Sequence, residues 1–278
     1  MEQQAVPSAE GNPVSPANPA ETYESYFVPA IFGPWAEELL GRVVPRAGER
    51  VLDVACGTGA VARRVAPLVG TSGSVTGIDA SPGMLAVARA AAAAGAVIDW
   101  YEGGADVLPF PDAGFDLVVC QHGLQFFPDR TAALREMGRV LAPGGRVGIT
   151  VWRGIEHQSL WAAMEEVEVR HLGSAGGNAP FSLGDEEELR SLIEGAGFSA
   201  VTVERVTRVV RFPSPEQFVR LSVLGAAAVI PAFQEMDKAA RDGLVDAVTR
   251  DVAGPLERYR DRDTVAFPLQ AHIATARM

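Results

Sequence analysis

The stretch Val51-Leu52-Asp53-Val54-Ala55-Cys56-Gly57-Thr58-Gly59 decides the fold. An apolar, β-branched run leads straight into a glycine-rich turn, and Gly59–Val69 then carries a helical pattern. Outward from it, Arg50–Ala55, Ser74–Asp79, Val97–Glu102, Phe115–Gln121 and Gly145–Val151 are predicted strands. Between them lie a Pro82-initiated, alanine-rich helix to Ala94 and a helix from about Thr131 to Leu141; proline in a first turn and alanine inside a helix are both favourable. Alternating strands and helices, with near-continuous apolar strands, indicate a parallel sheet covered on both faces. The fold class is α/β, doubly wound.

The C-terminal half adds predicted helices at His157–His171, Asp185–Glu194, Ser214–Leu224 and Phe233–Val252, and strands at Ala200–Arg211 and Val265–Arg277. That makes a mostly parallel sheet of seven strands, with residues 213–261 a helical insertion before the last one. Ala175–Pro180 is predicted to be a loop. Residues 1–21 carry four prolines and no large apolar side chain except valine, which predicts a disordered leader. Residues 22–47 form an N-terminal helical lid in this scheme, and residues 48–278 the catalytic domain.

Composition removes several function classes. The 278-residue chain is 47% hydrophobic, enough for a full core, and its formal net charge is −11. Its longest basic run is the pair Arg63-Arg64, whereas a nucleic-acid surface needs clustered positive charge. The longest apolar stretch, Leu221–Phe233, is interrupted and too short to span a bilayer. The first residues lack the basic and apolar regions of a signal peptide. Two cysteines, Cys56 and Cys120, make no disulfide framework and fit a reducing compartment. A cytoplasmic protein with a small-molecule partner, no nucleic acid and no membrane is expected.

Glycines in a strand-to-helix turn let the backbone approach a ligand where a Cβ would interfere. Asp79 ends the second strand, twenty residues after Gly59, where an acid can bond both hydroxyls of a ribose. An adenosine-containing ligand follows, either a dinucleotide or S-adenosylmethionine. Asp53 precedes Gly57 by four residues. A carboxylate there repels a pyrophosphate and suits a ligand with an ammonium and a sulfonium, unless it only bonds the following turn.

The chain resembles the class I S-adenosylmethionine-dependent methyltransferases of the ubiquinone/menaquinone-biosynthesis-like branch, whose fold is Rossmann-like. Asp53–Gly59 is similar to the family's first motif, and Ile78–Leu85 to its ribose-binding segment. Gly104–Phe110 is similar to its adenine-binding segment, and Phe115–Gln121 and Leu141–Gly145 to the two that follow. The resemblance implies that Ala55, Gly57 and Gly59 line the methionine and ribose of the cofactor and that Asp79 binds the ribose hydroxyls. Ala80 and Met84 would pack on the adenine, and Asp106 would accept from its amino group with Ala105 and Val107 alongside. Gln121 would stand near the sulfonium. Met84 is also readable as a helix core residue, and Asp106 as a turn cap before Pro109. Tyr26 and Phe27, in the aromatic stretch Tyr23–Pro29, would fold over the cofactor as a lid, or else staple the Trp35 helix to the sheet.

Methyl transfer from a sulfonium requires proximity and exclusion of water, and a base only if the nucleophile must lose a proton. His122, at the carboxyl end of the fourth strand, is the first candidate base, with a turn-shaping role as the alternative. His157 is the second, though a solvent-facing role is the plainer reading, and His171 and His272 read as structural. Neither the two cysteines nor any other set offers zinc four ligands, so no metal is expected. Ser222–Phe233, small and apolar, suits a lid over a hydrophobic acceptor, ordinary helix packing or a homodimer face. Competing functions are a non-methylating enzyme such as a cyclase that retains the cofactor, and a cofactor-binding protein without turnover.

Overall fold

The computed structural model describes residues 18–91, 97–172, 179–227 and 235–278. β1 (Arg50–Val54), β2 (Ser74–Asp79), β3 (Ile98–Glu102), β4 (Phe115–Gln121) and β5 (Leu141–Trp152) pair in parallel. β6 (Ser199–Phe212) and the two-residue β7 (Arg260–Asp261) both pair antiparallel with β8 (Thr264–Arg277), which itself inserts antiparallel beside β5. The order is β3-β2-β1-β4-β5-β8-β6. Short β7 brings the sheet to eight strands instead of the seven expected.

The order reverses between β1 and β4, and parallel α/β sheets bind ligands at such a switch point, beyond the carboxyl ends of the strands. β1 and β4 are central and buried on both faces, which is why they read as near-continuous apolar runs interrupted only by Asp53 and Asp116. α2 (Gly33–Val43) and α3 (Ala62–Val69) cover one face. There Trp35, Leu39 and Val43 pack in one core with Leu117 and Val119 of β4. Gly148 of β5 makes this possible, because a Cβ there would run into Val43 and Leu39. α5 (Arg130–Val140) and α7 (Glu186–Gly195) cover the other face through Leu134, Met137, Leu189 and Ile193. Full burial of each such side chain is worth roughly 1.5–3 kcal/mol, so the centre of the sheet anchors the site that its strand ends present.

α4 (Pro82–Ala91) follows β2, and α6 (Ser159–Leu172) follows β5. α8 (Pro215–Ala227) and α9 (Lys238–Glu257) occupy the insertion between β6 and β8. Their Phe218, Val245, Val248 and Val252 share a core with Phe212 and Phe267 of those strands. Ahead of β1, α1 (Pro19–Thr22) runs into a π-helix, Tyr23–Phe32, and then α2. The Asn18 side chain caps α1 by accepting from the Ala20 N–H at 3.1 Å. Regular structure therefore begins inside the predicted leader 1–21, whose residues 1–17 lie outside the described residues. Residues 175–178 of the predicted loop and 228–233 of the predicted apolar lid also lie outside them. No helix among the described residues is long and apolar enough to cross a membrane.

Candidate cofactor and acceptor site

The turn after β1 passes through three left-handed residues, Ala55 at φ 56°, Gly57 at 55° and Gly59 at 83°. A side chain at Gly59 would strike the Trp100 ring, so the position is closed to Cβ by both conformation and space. Asp79, at the end of β2, braces the turn. Its Oδ2 accepts from the Gly57 N–H at 2.8 Å and its Oδ1 from the Ser81 N–H at 2.8 Å.

Asp53 is 1% exposed, and its Oδ2 accepts from the Ala62 N–H at 3.0 Å, capping the start of α3 from below. Burial pushes its carboxyl up to about 8, a shift that the Ala62 N–H and Arg63 oppose. Arg63 donates to Glu24 at 2.6 Å and to the Thr58 carbonyl, tying the π-helix to the turn. The second Glu24 oxygen and the Thr58 hydroxyl are buried without a partner.

The aromatic side chain nearest Gly57 is Tyr23, whose ring lies 3.9 Å from the position of a Gly57 Cβ and stacks on Phe32. Burial raises its phenol above the ordinary value, and Asp79, Glu24 and Asp53 add to the effect. Tyr26 and Phe27, the expected lid residues, instead pack on Phe212 of β6, with ring centroids 5.2 and 6.1 Å away. That placement matches the staple alternative better than the lid.

On the other rim, Met84 is half-buried, with its N–H on the Ser81 hydroxyl at 3.3 Å. Ala80 and Asp106 are exposed, Ala105 is half-buried and Val107 is 74% exposed. These residues line an open edge beside β2 and β3.

Gln121, at the end of β4, donates to the Phe32 carbonyl at 2.9 Å and leaves its Oε1 buried and unpartnered. His122 follows in the left-handed region at φ 53°, with its N–H on the Thr150 carbonyl at 2.8 Å. Its ring stacks on Trp152 with centroids 3.7 Å apart and meets the edges of Phe32 and Trp35. Neither ring nitrogen has a partner, and burial pushes the imidazole down to about 3. A group with that value is a poor proton acceptor at neutral pH, so the geometry does not suit His122 to the base role. His157 is no better placed, because its Nε2 lies 2.8 Å from an Arg153 nitrogen and 3.2 Å from Glu156. His171 pairs with Asp251, and His272 bonds the Gly184 carbonyl.

Cys56 and Cys120 are free and buried, and burial pushes the Cys120 thiol up to about 12. No group of three or more His, Cys, Asp or Glu among the described residues could hold a metal ion. A groove of about 510 Å³, bounded by Ile155, Phe181 and Ser182, opens past the end of β5, two strands from the glycine turn.

A family model described as a methyltransferase domain matches residues 51–145, from β1 into β5. The 2-phytyl-1,4-naphthoquinone methyltransferase of Synechococcus elongatus is 47% identical over 107 residues, 37% of this chain and 46% of that protein. The ubiquinone/menaquinone biosynthesis C-methyltransferase of Pseudoalteromonas translucida is 33% identical over 189 residues, covering 62% of this chain and 75% of that protein. The chain belongs to the S-adenosylmethionine-dependent methyltransferase family. It spans about half the length of the cyanobacterial relative.

Among solved structures, a methyltransferase-like protein of Bacillus halodurans shares the fold at TM-score 0.56 and 21% identity, with 87% of this chain and 97% of that chain covered. The (4+2)-cyclase SpnF matches at TM-score 0.54 and 26% identity, covering 88% and 80%. Within this family member, the matched segment supplies the glycine turn and the ends of β2 and β4. Tyr23, Trp35, Trp152 and Phe212 lie outside it, so the covering aromatic side of the site comes from the less similar parts of the chain.

Proposed function

We propose that this chain binds S-adenosylmethionine across the carboxyl ends of β1, β2 and β4 and transfers its methyl group to a small, partly apolar acceptor. The observation that carries this reading is the Asp79 carboxylate, braced by two backbone N–H groups against the left-handed glycine turn. Each oxygen keeps a lone pair for a ribose hydroxyl. The donor set also fits a cationic ligand better than a pyrophosphate. Arg63 is already committed to Glu24 and Thr58, while a Glu24 oxygen, the Thr58 hydroxyl and the Gln121 oxygen stand buried and unpartnered around the turn. Buried polar atoms of this kind ordinarily find a ligand or a water.

In this account Ala55, Gly57 and Gly59 let the backbone approach the methionine and ribose, and Tyr23 closes over them. Ala80 and Met84 flank the adenine, with Ala105, Asp106 and Val107 along its edge and Asp106 accepting from its amino group. Gln121 offers Oε1 to the region of the sulfonium. The bound cofactor supplies an already activated methyl group. The protein's task is then to hold the nucleophile in line and keep water out, effects that can together contribute about 7–11 kcal/mol. Quinone-methylating relatives support an apolar acceptor. The two unpaired, buried cysteines support a reducing, cytoplasmic setting.

A cyclase reading has one specific support, the similarity to SpnF. Incubation with methyl-labelled S-adenosylmethionine and a panel of phenols and quinols, kept reduced with dithionite, separates the two. Methyl transfer predicts label in a product and stoichiometric S-adenosylhomocysteine. Cofactor recovered intact while an acceptor is converted would favour the cyclase.

A further inference from the structure

β6 (Ser199–Phe212) is the outermost strand on its side of the sheet, and its 14 residues make it more than twice an ordinary strand. β8 pairs with one of its edges from Ser199 to Phe212, and among the described residues no strand pairs with the other. Of its side chains only Val210 and Phe212 are buried, and Val209 is 67% exposed.

An open edge is a template for another chain, and proteins ordinarily blunt it with proline, a bulge or charged side chains. β6 contains no proline, and its irregularity is confined to Ser199–Thr202, where Ala200 stands at φ 50°. Its four charged side chains are drawn onto neighbouring elements instead. Glu204 accepts from Arg42 Nε at 2.9 Å and Arg208 donates to Glu38 at 2.6 Å, both on α2. Arg205 donates to Glu186 at the start of α7 at 2.7 Å, and Arg211 to Asp261 of β7 at 2.7 Å. The strand edge between these ion pairs is left uncovered by them.

The strand is also complementary to itself. A two-fold axis perpendicular to the sheet keeps the α2 layer on the same side in both copies and passes through one residue of β6. Placed at Val206, it sets Glu204 opposite Arg208 of the other copy, Val203 opposite Val209 and Thr202 opposite Val210. Placed at Glu204, Arg205, Arg208 or Arg211, it sets a charge opposite itself, and no other position within β6 pairs opposite charges. The two charges keep capacity for the contact: among the described residues, Glu204 Oε1 and Arg208 Nε bond nothing else. Cross-strand pairs of opposite charge and of β-branched side chains each stabilise antiparallel pairing, and the two-fold doubles each one.

We propose that β6 pairs antiparallel with β6 of a second copy of this chain about a two-fold at Val206, joining the two sheets into one. The homodimer face is then this edge and not the 222–233 stretch. β6 and β3 end the sheet on opposite sides, so the pairing leaves the β1–β4 switch point of each copy free for its ligands.

The test is sedimentation equilibrium of the full chain at micromolar concentration, where the wild type should show a monomer–dimer equilibrium. Val209→Lys changes an exposed side chain and should leave Tm unchanged. It should raise the dimer dissociation constant about tenfold or more, because a valine pair is replaced by a covered charge on each side of the two-fold. Val206→Cys should form a disulfide-linked dimer under mild oxidation, since facing residues of antiparallel strands have Cα atoms about 4.5–5.5 Å apart. Val209→Cys should not, because its two copies would stand roughly 20 Å apart. The wild type should not either, since Cys56 and Cys120 are buried. If Val206→Cys does not fold, Val209→Lys decides the matter. A wild type that stays monomeric, a dimer that Val209→Lys leaves equally tight, or cross-linking through position 209 in preference to 206 would overturn the proposal.

Discussion

Replacing Asp79 by Asn changes one oxygen into an amide nitrogen and almost nothing else. The carboxylate accepts from two backbone N–H groups, Gly57 and Ser81, each at 2.8 Å. Asn has one carbonyl oxygen, so whichever N–H it keeps, its NH2 faces the other as donor against donor. One charge-assisted bond is lost, a cost of about 1.5–3 kcal/mol to the fold. For a domain of this size that lowers Tm by roughly 3–12 °C. Cofactor affinity should fall by a similar energy again, because the ribose hydroxyls lose a charged acceptor, giving about 10- to 150-fold. Calorimetry with S-adenosylhomocysteine, run well below the variant's Tm, separates the two effects. A variant with the expected Tm loss but affinity within twofold of wild type would refute the ribose assignment and leave Asp79 as a turn brace. Loss of affinity without loss of stability would refute the bracing geometry instead.

Other consequences follow from the same geometry. Asp53 has its folded-state carboxyl raised to about 8, so across pH 4–8 the folded state holds a proton that the unfolded state has released, and stability falls as pH rises through that range; Asp53→Asn, which keeps an acceptor for the Ala62 N–H, should flatten the Tm-against-pH profile, and an unchanged profile would contradict the buried placement. Gly59→Ala forces a Cβ into left-handed backbone against Trp100 and should cost at least about 1–2 kcal/mol, visible as a lower denaturation midpoint; a neutral result would mean that Trp100 and the turn yield freely. Tyr23→Ala should weaken S-adenosylhomocysteine binding more than Phe27→Ala does, because only Tyr23 lies against Gly57; the reverse order in a binding titration would restore Phe27 as the lid.

Strands β2 and β4 were legible to the residue, since each is a short β-branched or apolar stretch ended by a polar side chain at the ligand edge, Asp79 and Gln121. β5 starts at Leu141 rather than Gly145 because Leu141 already pairs with Phe115, a contact that Pro143 and the glycines conceal. α3 begins at Ala62 rather than Gly59 because the chain needs Thr58–Val61 to complete the turn. α9 continues through Gly254-Pro255 to Glu257, past two residues that normally end a helix. Tyr23–Phe32 is a π-helix with i→i+5 bonding, an arrangement the sequence does not announce, and it sets Tyr23 against Gly57 while Tyr26 and Phe27 pack on Phe212. His122 was visible as a residue at the right strand end. What surrounds it was not, because Trp35 and Trp152 arrive from elements 87 residues before and 30 residues after it.

The most direct test of the central claim is a calorimetric titration of the unmodified chain with S-adenosylmethionine, S-adenosylhomocysteine and NAD. An acid-braced glycine turn with its arginine already committed predicts saturable one-to-one binding of the first two and none of NAD. Binding of NAD in preference to S-adenosylmethionine, or no binding of either sulfur ligand by a folded protein, would contradict it.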